Sequence, residues 1–382
     1  MRRDGLEVVD ADGHVQEPSD LWDRYIDPKY FEFRPRVDHQ SSDNMFSVLG
    51  QTMPRMFVPV PGRSDYKEAL VGKWNARFSQ QFALGNQGFS SASYLEEIDR
   101  EGIDRMILYP SRGLYACAVE HMDPGLSAAI CRAYNRWLAE FCAADPERLL
   151  GIALTALHGP EHAAAEARYA VEDLGMRGCM VRPNPCAGRT LEDPANDVYF
   201  AEVERLRVPL AVHEGSGSCM PAYGEDRFDS YLAHHAMSHP MEQMAAVYSL
   251  TVGGILQRHP ALRVAILEAG GTWLPYWLYR LDEHVEFLEG IESEVGQINR
   301  LPSEYFRRQC WISCEPSEPN LRTVIDAVGA DRILWASDYP HPDCKYPGMV
   351  DDLITGATKN GLSADEIRLY AAANAKAMYA LT

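Results

Sequence analysis

The chain has 382 residues, of which 46% are hydrophobic, and carries a formal net charge of −19 at pH 7. Its length and apolar content allow one large α/β barrel or two ordinary domains. The negative charge argues against partnership with nucleic acid or an anionic membrane, because both surfaces attract clustered Lys and Arg side chains.

The cysteines and the N-terminus bear on the cellular location of the protein. The nine cysteines are scattered and form no C-x-x-C pair, which favours reduced thiols and a cytoplasmic location over a disulfide framework or a zinc knuckle. The N-terminus has no apolar h-region, and no apolar run approaches the length of about 18 residues that spans a bilayer. We therefore expect neither a signal peptide nor a transmembrane helix.

The first apolar run leads directly into acidic residues and a histidine, in the stretch Val8–His14 (VVDADGH). Side chains alternate along a strand with period two, which would place Asp10, Asp12 and His14 on one face. Two carboxylates and an imidazole at a strand end form a plausible half of a metal site. The alternative is an Asp-rich turn that caps its own backbone.

Regular periodicity is then lost from about residue 21 to residue 93. The segment is rich in proline, charge and aromatic side chains, and the aromatics argue against disorder. We predict an ordered insertion that lies over one end of the core as a lid. Its aromatic side chains would line an apolar pocket or form the insertion's own core: Tyr30, Phe31, Phe33, Phe57 and Trp74.

Short apolar runs and helical patterns alternate through the remainder of the chain. After the opening strand, the predicted strands are 105–110, 149–154, 178–182, 208–213, 262–268, 309–314 and 333–338. The predicted helices are 94–102, 126–143, 161–174, 197–206, 241–257, 273–288, 321–328 and 364–380. Eight strands separated by helices predict a (β/α)8 TIM barrel formed by one domain over residues 1–382. A doubly wound open sheet is the alternative, but the first strand lacks the Gly-rich phosphate loop of that fold.

Catalytic groups of such barrels collect at the C-terminal ends of the strands. These ends carry ligand-type side chains in this chain: Asp12, His14, Glu17, Arg182, Asn184, His213, Glu268, Glu315, Asp338 and His341. Buried carboxylates are costly unless they are paired or bind a cation. Converging carboxylates of Asp12, Glu268 and Asp338 therefore predict a metal site, with a network of acid–histidine hydrogen bonds as the alternative.

The sequence resembles the amidohydrolase superfamily, in the branch that contains aminocarboxymuconate-semialdehyde decarboxylase and resorcylate-type decarboxylases. Four stretches carry the resemblance: 10–14 (DADGH), 212–214 (VHE), the block 253–282, and 336–341 (ASDYPH). The resemblance implies that Asp12 and His14 occupy the family's strand-one His-x-His motif. It likewise implies that His213 is the strand-five ligand and Asp338 the strand-eight aspartate.

Two departures from the family pattern bear on the chemistry. Glu268 stands where the decarboxylases have a catalytic histidine on strand six, and strand four offers no lysine for the carbamate of the dinuclear hydrolases. The remaining ligands are rich in carboxylates, as in carboxylate-bridged di-iron sites. This set is similar to that of superfamily members that serve as nonheme di-iron monooxygenases in diterpenoid biosynthesis.

The expected function is accordingly that of a monooxygenase with two iron ions, which uses O2 to hydroxylate a bulky hydrophobic terpenoid or acyl substrate. One alternative is a Zn- or Mn-dependent hydrolase or non-oxidative decarboxylase of a carboxylic acid, in which Asp338 is the base. A further alternative is a barrel that binds a ligand or partner without catalysis. A small-molecule substrate and a homodimer are expected in the enzymatic readings.

Several side chains retain more than one interpretation. His341 is a ligand, a general base or a loop cap. His235 and His239 either reach the site as acid, base or ligand or pack at the start of a helix. Glu17 is a metal ligand, or it forms a salt bridge or a cap. Arg182 either clamps an anion bidentately or forms a structural ion pair.

Overall fold

The computed structural model describes residues 5–37, 46–55 and 89–382, together with residues 69, 72, 73 and 76. In this part of the chain, eight parallel strands form the wall of a barrel. They are β1 (Val9–Val15), β2 (Arg105–Pro110), β3 (Leu149–Gly151 and Ala153–Leu154), β4 (Cys179–Val181), β5 (Leu210–Val212), β6 (Val264–Ile266), β7 (Cys310–Cys314) and β8 (Ile333–Trp335).

Each strand pairs in parallel with the next strand along the chain, from β1 to β8. The ring closes just beyond β8, where the Asp338 N–H donates to the Asp12 carbonyl at 3.0 Å and the His14 N–H donates to the Tyr339 carbonyl at 2.7 Å. The predicted (β/α)8 barrel is therefore confirmed, and the closing hydrogen bonds bring the ends of the first and last strands together.

The strand bodies are apolar because they are covered on both sides. All three residues of β5, Leu210, Ala211 and Val212, are buried, as are all three of β6. Their side chains fill the barrel interior or meet the surrounding helices, so the strands read as continuous apolar runs. The buried hydrophobic cluster extends from Val8 to Tyr379; the single domain over the whole chain remains a prediction.

Helices connect the strands on the outside of the barrel. The α-helices are Leu21–Tyr25, Ser91–Glu101, Gly113–Ala116, Pro124–Cys142, Pro160–Glu172, Asp197–Leu206, Tyr231–Thr251, Ile255–Arg258, Leu274–Phe287, Glu292–Val295, Pro302–Gln309, Leu321–Val328, Met349–Lys359, Ala364–Arg368 and Asn374–Tyr379. Short 3-10 turns occupy Pro28–Phe33, Pro194–Asn196 and Ala330–Arg332, and Leu369–Ala373 is a π-helical turn. None of the described helices combines the length and apolar content that crossing a membrane requires.

The helix Tyr231–Thr251 differs most from its predicted bounds, since the sequence pattern placed its start near Met241. The side chain of Ser230 accepts a hydrogen bond from the Ala233 N–H at 3.2 Å and caps the helix ten residues earlier. Pro240 lies inside the helix. A proline usually marks a helix start, because it lacks the N–H that an interior position donates, but this helix continues through it.

The region predicted as a lid lies only partly within the described residues. Its described parts form the helix Leu21–Tyr25, the turn Pro28–Phe33 and a small antiparallel sheet of Arg36–Val37, Phe46–Val48 and Gln51–Met53. Phe31 and Phe33 are exposed, whereas Phe57 and Trp74 lie outside the described residues. The lid therefore remains a prediction.

Candidate active site

Strand β1 positions the first part of the site. Its pairing with β2 is irregular between Asp10 and Gly13. The Asp10 carboxylate accepts hydrogen bonds from the backbone N–H and the hydroxyl of Ser337. Asp12 and His14 belong to the groups of potential metal ligands, whereas Asp10 does not. Asp10 is thus held by Ser337 and does not join Asp12 and His14 as a potential ligand.

Five predicted ligands converge at the C-terminal end of the barrel. His14 Nε2 lies 3.6 Å from Asp12 Oδ1, 3.8 Å from Glu268 Oε2 and 3.3 Å from Asp338 Oδ1. His213 Nε2 lies 3.5 Å from Asp12 Oδ1 and 3.0 Å from Glu268 Oε2. We call these five residues the ligand group.

The ligand group has the donor atoms and the spacing that a metal ion requires. Asp12 Oδ1, His14 Nε2, His213 Nε2, Glu268 Oε2 and Asp338 Oδ1 are all buried atoms that make no hydrogen bond. Two ligand atoms about 2.1 Å from one ion stand about 3.0 Å apart at a right angle and about 3.4 Å apart at the tetrahedral angle. Two of the observed separations, 3.0 Å and 3.3 Å, fall within this range, and the other three are slightly longer, at 3.5–3.8 Å. Small movements of the side chains would therefore fit the ligand group to a divalent cation.

The two histidines are oriented by their other ring nitrogens. His14 Nδ1 lies 2.9 Å from the Pro110 carbonyl, and His213 Nδ1 lies 2.7 Å from the Glu214 carbonyl. A carbonyl can only accept, so each Nδ1 carries a hydrogen, and in the neutral ring each Nε2 keeps a lone pair toward the centre of the group. This is the usual way in which an outer hydrogen bond fixes the tautomer of a metal-binding histidine.

Burial makes two carboxylates of the ligand group, those of Asp12 and Asp338, dependent on a nearby positive charge. Burial raises the pKa of the Asp12 carboxyl. Burial, and then the neighbouring Glu268 carboxylate, raises the pKa of Asp338 well above its usual range. Burial also lowers the pKa of His14 well below its ordinary value, which keeps that ring neutral. A metal cation would supply the missing charge.

Two members of the ligand group sit on left-handed backbone. Glu268 has a φ of 49° and Asp338 a φ of 57°, a region that residues other than glycine seldom occupy. Each follows the end of its strand, where the chain turns sharply and directs the carboxylate back over the barrel mouth. Such conformations concentrate at functional sites.

His341 lies beside the ligand group and connects it to a serine. Its Nδ1 lies 2.7 Å from Asp338 Oδ1, its Nε2 lies 2.9 Å from Ser111 Oγ, and its ring stacks on His14 at 4.0 Å. With His14, Glu268 and Asp338 it forms one of two sets of potential ligands. Asp12, His14 and His213 form the other. Both sets use the same His14 nitrogen, so they overlap.

A cavity of 440 Å³ opens from the ligand group and is lined by both His235 and His239. This volume suits a small-molecule substrate. His239 Nδ1 donates to the Glu268 carbonyl at 2.9 Å. Burial lowers the pKa of His239 to about 4, so its ring is neutral at pH 7. His239 therefore lies at the cavity wall, where its side chain can reach the site.

Two of the proposed site residues serve the local structure instead. The Glu17 carboxylate accepts hydrogen bonds from the backbone N–H groups of Ser111, Arg112 and Gly113 at 2.8–3.1 Å, and Glu17 is in neither set of potential ligands. Arg182 donates to Glu214, Asn184 and the Leu114 and Gly215 carbonyls. This corresponds to the structural ion pair rather than the anion clamp.

Other residues of the site were missed at the level of sequence. Ser111 directly follows β2, and applying the strand-end rule to that strand would have identified it. Glu318, Asp343, Lys345 and Asp352 line the cavity. They lie in loops or a helix beyond the strand ends, where no pattern in the sequence marks them.

Comparison with known proteins identifies relatives of this chain. The Amidohydrolase family profile matches residues 9–381. The chain is 32% identical over 262 residues to the γ-resorcylate decarboxylase of Rhizobium sp. (strain MTP-10005), covering 64% of this chain and 75% of the relative. It is 24% identical over 248 residues to the 2-amino-3-carboxymuconate-6-semialdehyde decarboxylase of Dictyostelium discoideum, covering 65% of this chain and 66% of that protein.

Solved structures share the fold over almost the full length. An amidohydrolase from Mycobacterium avium subsp. paratuberculosis K-10 superposes with a TM-score of 0.78 at 20% identity, over 98% of this chain and 99% of that one. A dihydroxybenzoic acid decarboxylase from Polaromonas sp. JS666, with bound manganese, superposes with a TM-score of 0.65 at 19% identity, over 98% and 97% of the two chains.

These comparisons overturn the expected di-iron monooxygenase. The relatives are decarboxylases, which agrees with the alternative drawn from the same residues. The error has a physical cause: carboxylate ligands suit Mn²⁺ as well as iron, and imidazole binds several of these metals. A carboxylate-rich ligand set thus does not specify iron. From the match over residues 9–381, the chain belongs to the amidohydrolase family.

Proposed function

We propose that the protein is a metal-dependent enzyme that decarboxylates a small aromatic or conjugated carboxylic acid without oxidising it. The observation that carries the proposal is the convergence of five buried potential ligand atoms, three of whose residues, Asp12, Glu268 and Asp338, line a 440 Å³ cavity. The choice of reaction is supported by the 32% identity to a γ-resorcylate decarboxylase. Manganese is the preferred metal of the proposal, with zinc as the alternative, because a structural neighbour holds manganese.

Asp12, His14, His213 and Asp338 would hold the metal, with Glu268 beside them. When bound, a divalent ion supplies positive charge that anchors the substrate carboxylate and stabilises the negative charge that develops as CO2 departs. His14 and His213 keep their Nε2 lone pairs aimed at this position through their hydrogen bonds to the Pro110 and Glu214 carbonyls. One His14 nitrogen offers one lone pair, which favours a single ion.

The reaction requires one proton. The bond between the ring carbon and the carboxyl carbon breaks, its electron pair stays on the ring carbon, and that carbon takes up a proton while CO2 leaves. Asp338 lines the cavity and can pass this proton to the substrate. His341 Nδ1, 2.7 Å from Asp338 Oδ1, can restore the proton, and Ser111 Oγ fixes the other side of the His341 ring at 2.9 Å.

The experiment is a measurement of CO2 release by protein loaded with Mn²⁺ or Zn²⁺, with γ-resorcylate and related hydroxybenzoates as substrates. We expect equal CO2 release in air and under nitrogen, because the decarboxylation consumes no oxidant. Asp338→Asn should lower kcat by about 10²–10⁴-fold, the usual contribution of a positioned acid or base. Asp331→Asn is the matched control, since Asp331 is exposed in the turn before β8, at the opposite end of the barrel.

The proposal fails if metal-loaded protein releases no CO2 from any conjugated acid of the panel. It also fails if Asp338→Asn retains the activity of Asp331→Asn. Metal content of the purified protein, determined by elemental analysis, should be near one divalent ion per chain, and its loss in a His14→Ala variant would link the ion to the ligand group.

A further inference from the structure

A second cavity lies apart from the active-site cavity. Its volume is 580 Å³, which is within the range of small-molecule sites. The second half of the helix Tyr231–Thr251 forms one wall through Glu242, Ala245 and Ser249, and residues 220–223 of the loop after β5 form another. The first half of the same helix lines the active-site cavity instead. Among the described residues, none lines both cavities.

The second cavity contains a buried carboxyl group that lacks a partner. Glu242 is 1% exposed, and its Oε1 accepts the Tyr223 N–H at 2.7 Å. Its Oε2 has no hydrogen-bond partner. An unsatisfied buried oxygen is costly, so a ligand that donates a hydrogen bond to Oε2 would stabilise the folded protein. Glu242 is outside the ligand group, and a metal ion at the active site would not supply this partner.

One arginine acts on Glu242 but is already engaged by other groups. Burial raises the pKa of Glu242 to about 7, and the charge of Arg182 limits the rise. The Arg182 guanidinium donates to Glu214 at 3.1 Å, to Asn184 and to two backbone carbonyls, so it does not bond to Oε2 of Glu242. Because the pKa of Glu242 lies near neutral pH, a bound cation can keep this carboxyl ionised at little cost.

Two further arginines line the exposed part of the second cavity, and each has a carboxylate of its own. Arg55 pairs with Glu225 at 3.5 Å, and Arg227 pairs with Asp226 at 3.4 Å. These pairs leave the exposed part without net charge. Glu242 is thus the one carboxyl of the described lining that forms no ion pair, and the buried part of the cavity favours a ligand with a positive charge.

The rest of the wall is mostly apolar. Pro183, Pro185 and Pro221 line it together with Leu191 and Met220. Small-molecule sites are usually of this kind, with a few polar groups that fix the ligand within apolar surroundings. A ligand of this cavity therefore combines one cationic donor with an apolar body.

We propose that the second cavity binds a small primary amine with an apolar body. The ammonium group donates to Glu242 Oε2, and the body packs against the prolines and Met220. The amine is not the substrate of the proposed decarboxylation, because the two cavities share no described residue. Both cavities can be occupied together, and the inference does not depend on the reaction.

The test compares the binding of 2-phenylethylamine and 2-phenylethanol to Mn²⁺-loaded protein by isothermal titration calorimetry. The two probes share the phenylethyl body and differ in the cationic group. We expect the amine to bind about 10-fold more tightly, because a charge-assisted hydrogen bond is about twice as strong as a neutral one. Equal affinities, or no binding of the amine at millimolar concentration, would overturn the inference.

Glu242→Gln tests whether this carboxyl causes the preference. Glutamine keeps an oxygen for the Tyr223 N–H and removes the charge, so it should abolish the preference for the amine, while 2-phenylethanol binds as before. Asp343→Asn is the matched control, since Asp343 is an acid of the active-site cavity; it should preserve the preference. A preference that survives in Glu242→Gln, or that is lost in Asp343→Asn, would contradict the assignment of the site.

A second variant tests the cavity without altering Glu242. Ala245→Leu places a larger side chain in the cavity from the helix Tyr231–Thr251 and should abolish the binding of both probes. Unchanged binding of both probes in this variant would place them outside the second cavity and refute the inference. CO2 release is measured independently, so the failure of either proposal leaves the other standing.

Discussion

Ser111 controls His341 through one hydrogen bond. Its hydroxyl lies 2.9 Å from His341 Nε2, and the opposite nitrogen of that ring faces Asp338 at 2.7 Å. Ser111 does not belong to either set of potential ligands. It is therefore a positioning residue, which acts by fixing the orientation of the histidine ring.

Replacement of Ser111 by alanine should weaken metal binding or lower kcat by about 10–100-fold, the usual cost of losing such an outer partner. Metal titration and steady-state kinetics measure the two effects. Ser111→Thr, which keeps the hydroxyl, should restore most of the loss. Ser127→Ala is the matched control, since Ser127 is also buried but bonds the Pro124 carbonyl; a similar loss in that variant would contradict the positioning role.

Glu242 is a buried carboxyl outside the ligand group. Its Oε1 accepts the Tyr223 N–H at 2.7 Å, while its Oε2 has no hydrogen-bond partner. Burial raises the pKa of Glu242 from 4.5 to about 7. The folded protein therefore keeps the Glu242 carboxyl protonated between about pH 4.5 and pH 7, whereas the same carboxyl in the unfolded chain has lost its proton.

This shift predicts the sign of a pH effect on stability. The stability that the bound proton gives the folded protein is fully present below about pH 4.5 and is lost as the pH rises through about 7. The loss lowers the free energy of unfolding by about 3 kcal/mol at most. Glu242→Gln imitates the protonated form and should flatten the fall in unfolding free energy over this range, measured by urea denaturation at several pH values. Glu286→Gln, at an exposed site, should leave the slope unchanged; an equal slope in Glu242→Gln would refute the assignment.

At the scale of secondary structure, two helices are joined through one carboxylate near the site. Glu101, the last residue of the helix Ser91–Glu101, accepts the N–H groups of Gly348 at 2.9 Å and Met349 at 2.6 Å. It thus caps the helix Met349–Lys359, which follows the loop that carries His341. Glu97 on the same helix accepts a hydrogen bond from Tyr346 of that loop.

Glu101→Ala should destabilise the protein by about 1–3 kcal/mol, because buried N–H groups lose a charged acceptor. The change should appear as a lower midpoint in thermal or urea unfolding. Glu96→Ala removes an exposed carboxylate from the same helix and should have little effect. A Glu101→Ala variant as stable as Glu96→Ala would show that the connection does not contribute to stability.

The element boundaries show which features the sequence pattern can specify. The strand Arg105–Pro110 and the helices Asp197–Leu206 and Leu321–Val328 match their predicted bounds, since their apolar periodicity is strong and turn residues flank them. The helix Met349–Lys359 was missed. Its N-terminus is capped by Glu101, which lies far away in sequence, so no local capping residue marks its start.

At the scale of the whole molecule, a metal ion bound at the ligand group would couple its binding to folding. A ligand that binds only the native state stabilises it by about 2.7 kcal/mol at a concentration 100-fold above its Kd. Removal of metal with a chelator should therefore lower the thermal midpoint, and Mn²⁺ should restore it. Unchanged midpoints after verified metal removal would contradict the coupling.

A matched variant tests whether the effect comes from this site. Asp12→Asn should weaken the stabilisation by Mn²⁺, because it removes a carboxylate from the ligand group, while Asp331→Asn should respond to the metal as the unaltered protein does.

The sequence by itself determined the barrel and the five members of the ligand group. Alternating strands and helices specify the fold through local periodicity, and the strand-end rule identified Asp12, His14, His213, Glu268, Asp338 and His341 because all strand ends of a parallel barrel meet at one rim. Only the tertiary structure decided which neighbouring acids join them. Asp10 bonds Ser337 and Glu17 bonds three backbone N–H groups, since their partners come from distant segments. The carboxylates along the outer cavity wall likewise come together only when the loops after β7 and β8 fold back over the mouth, which no local pattern encodes.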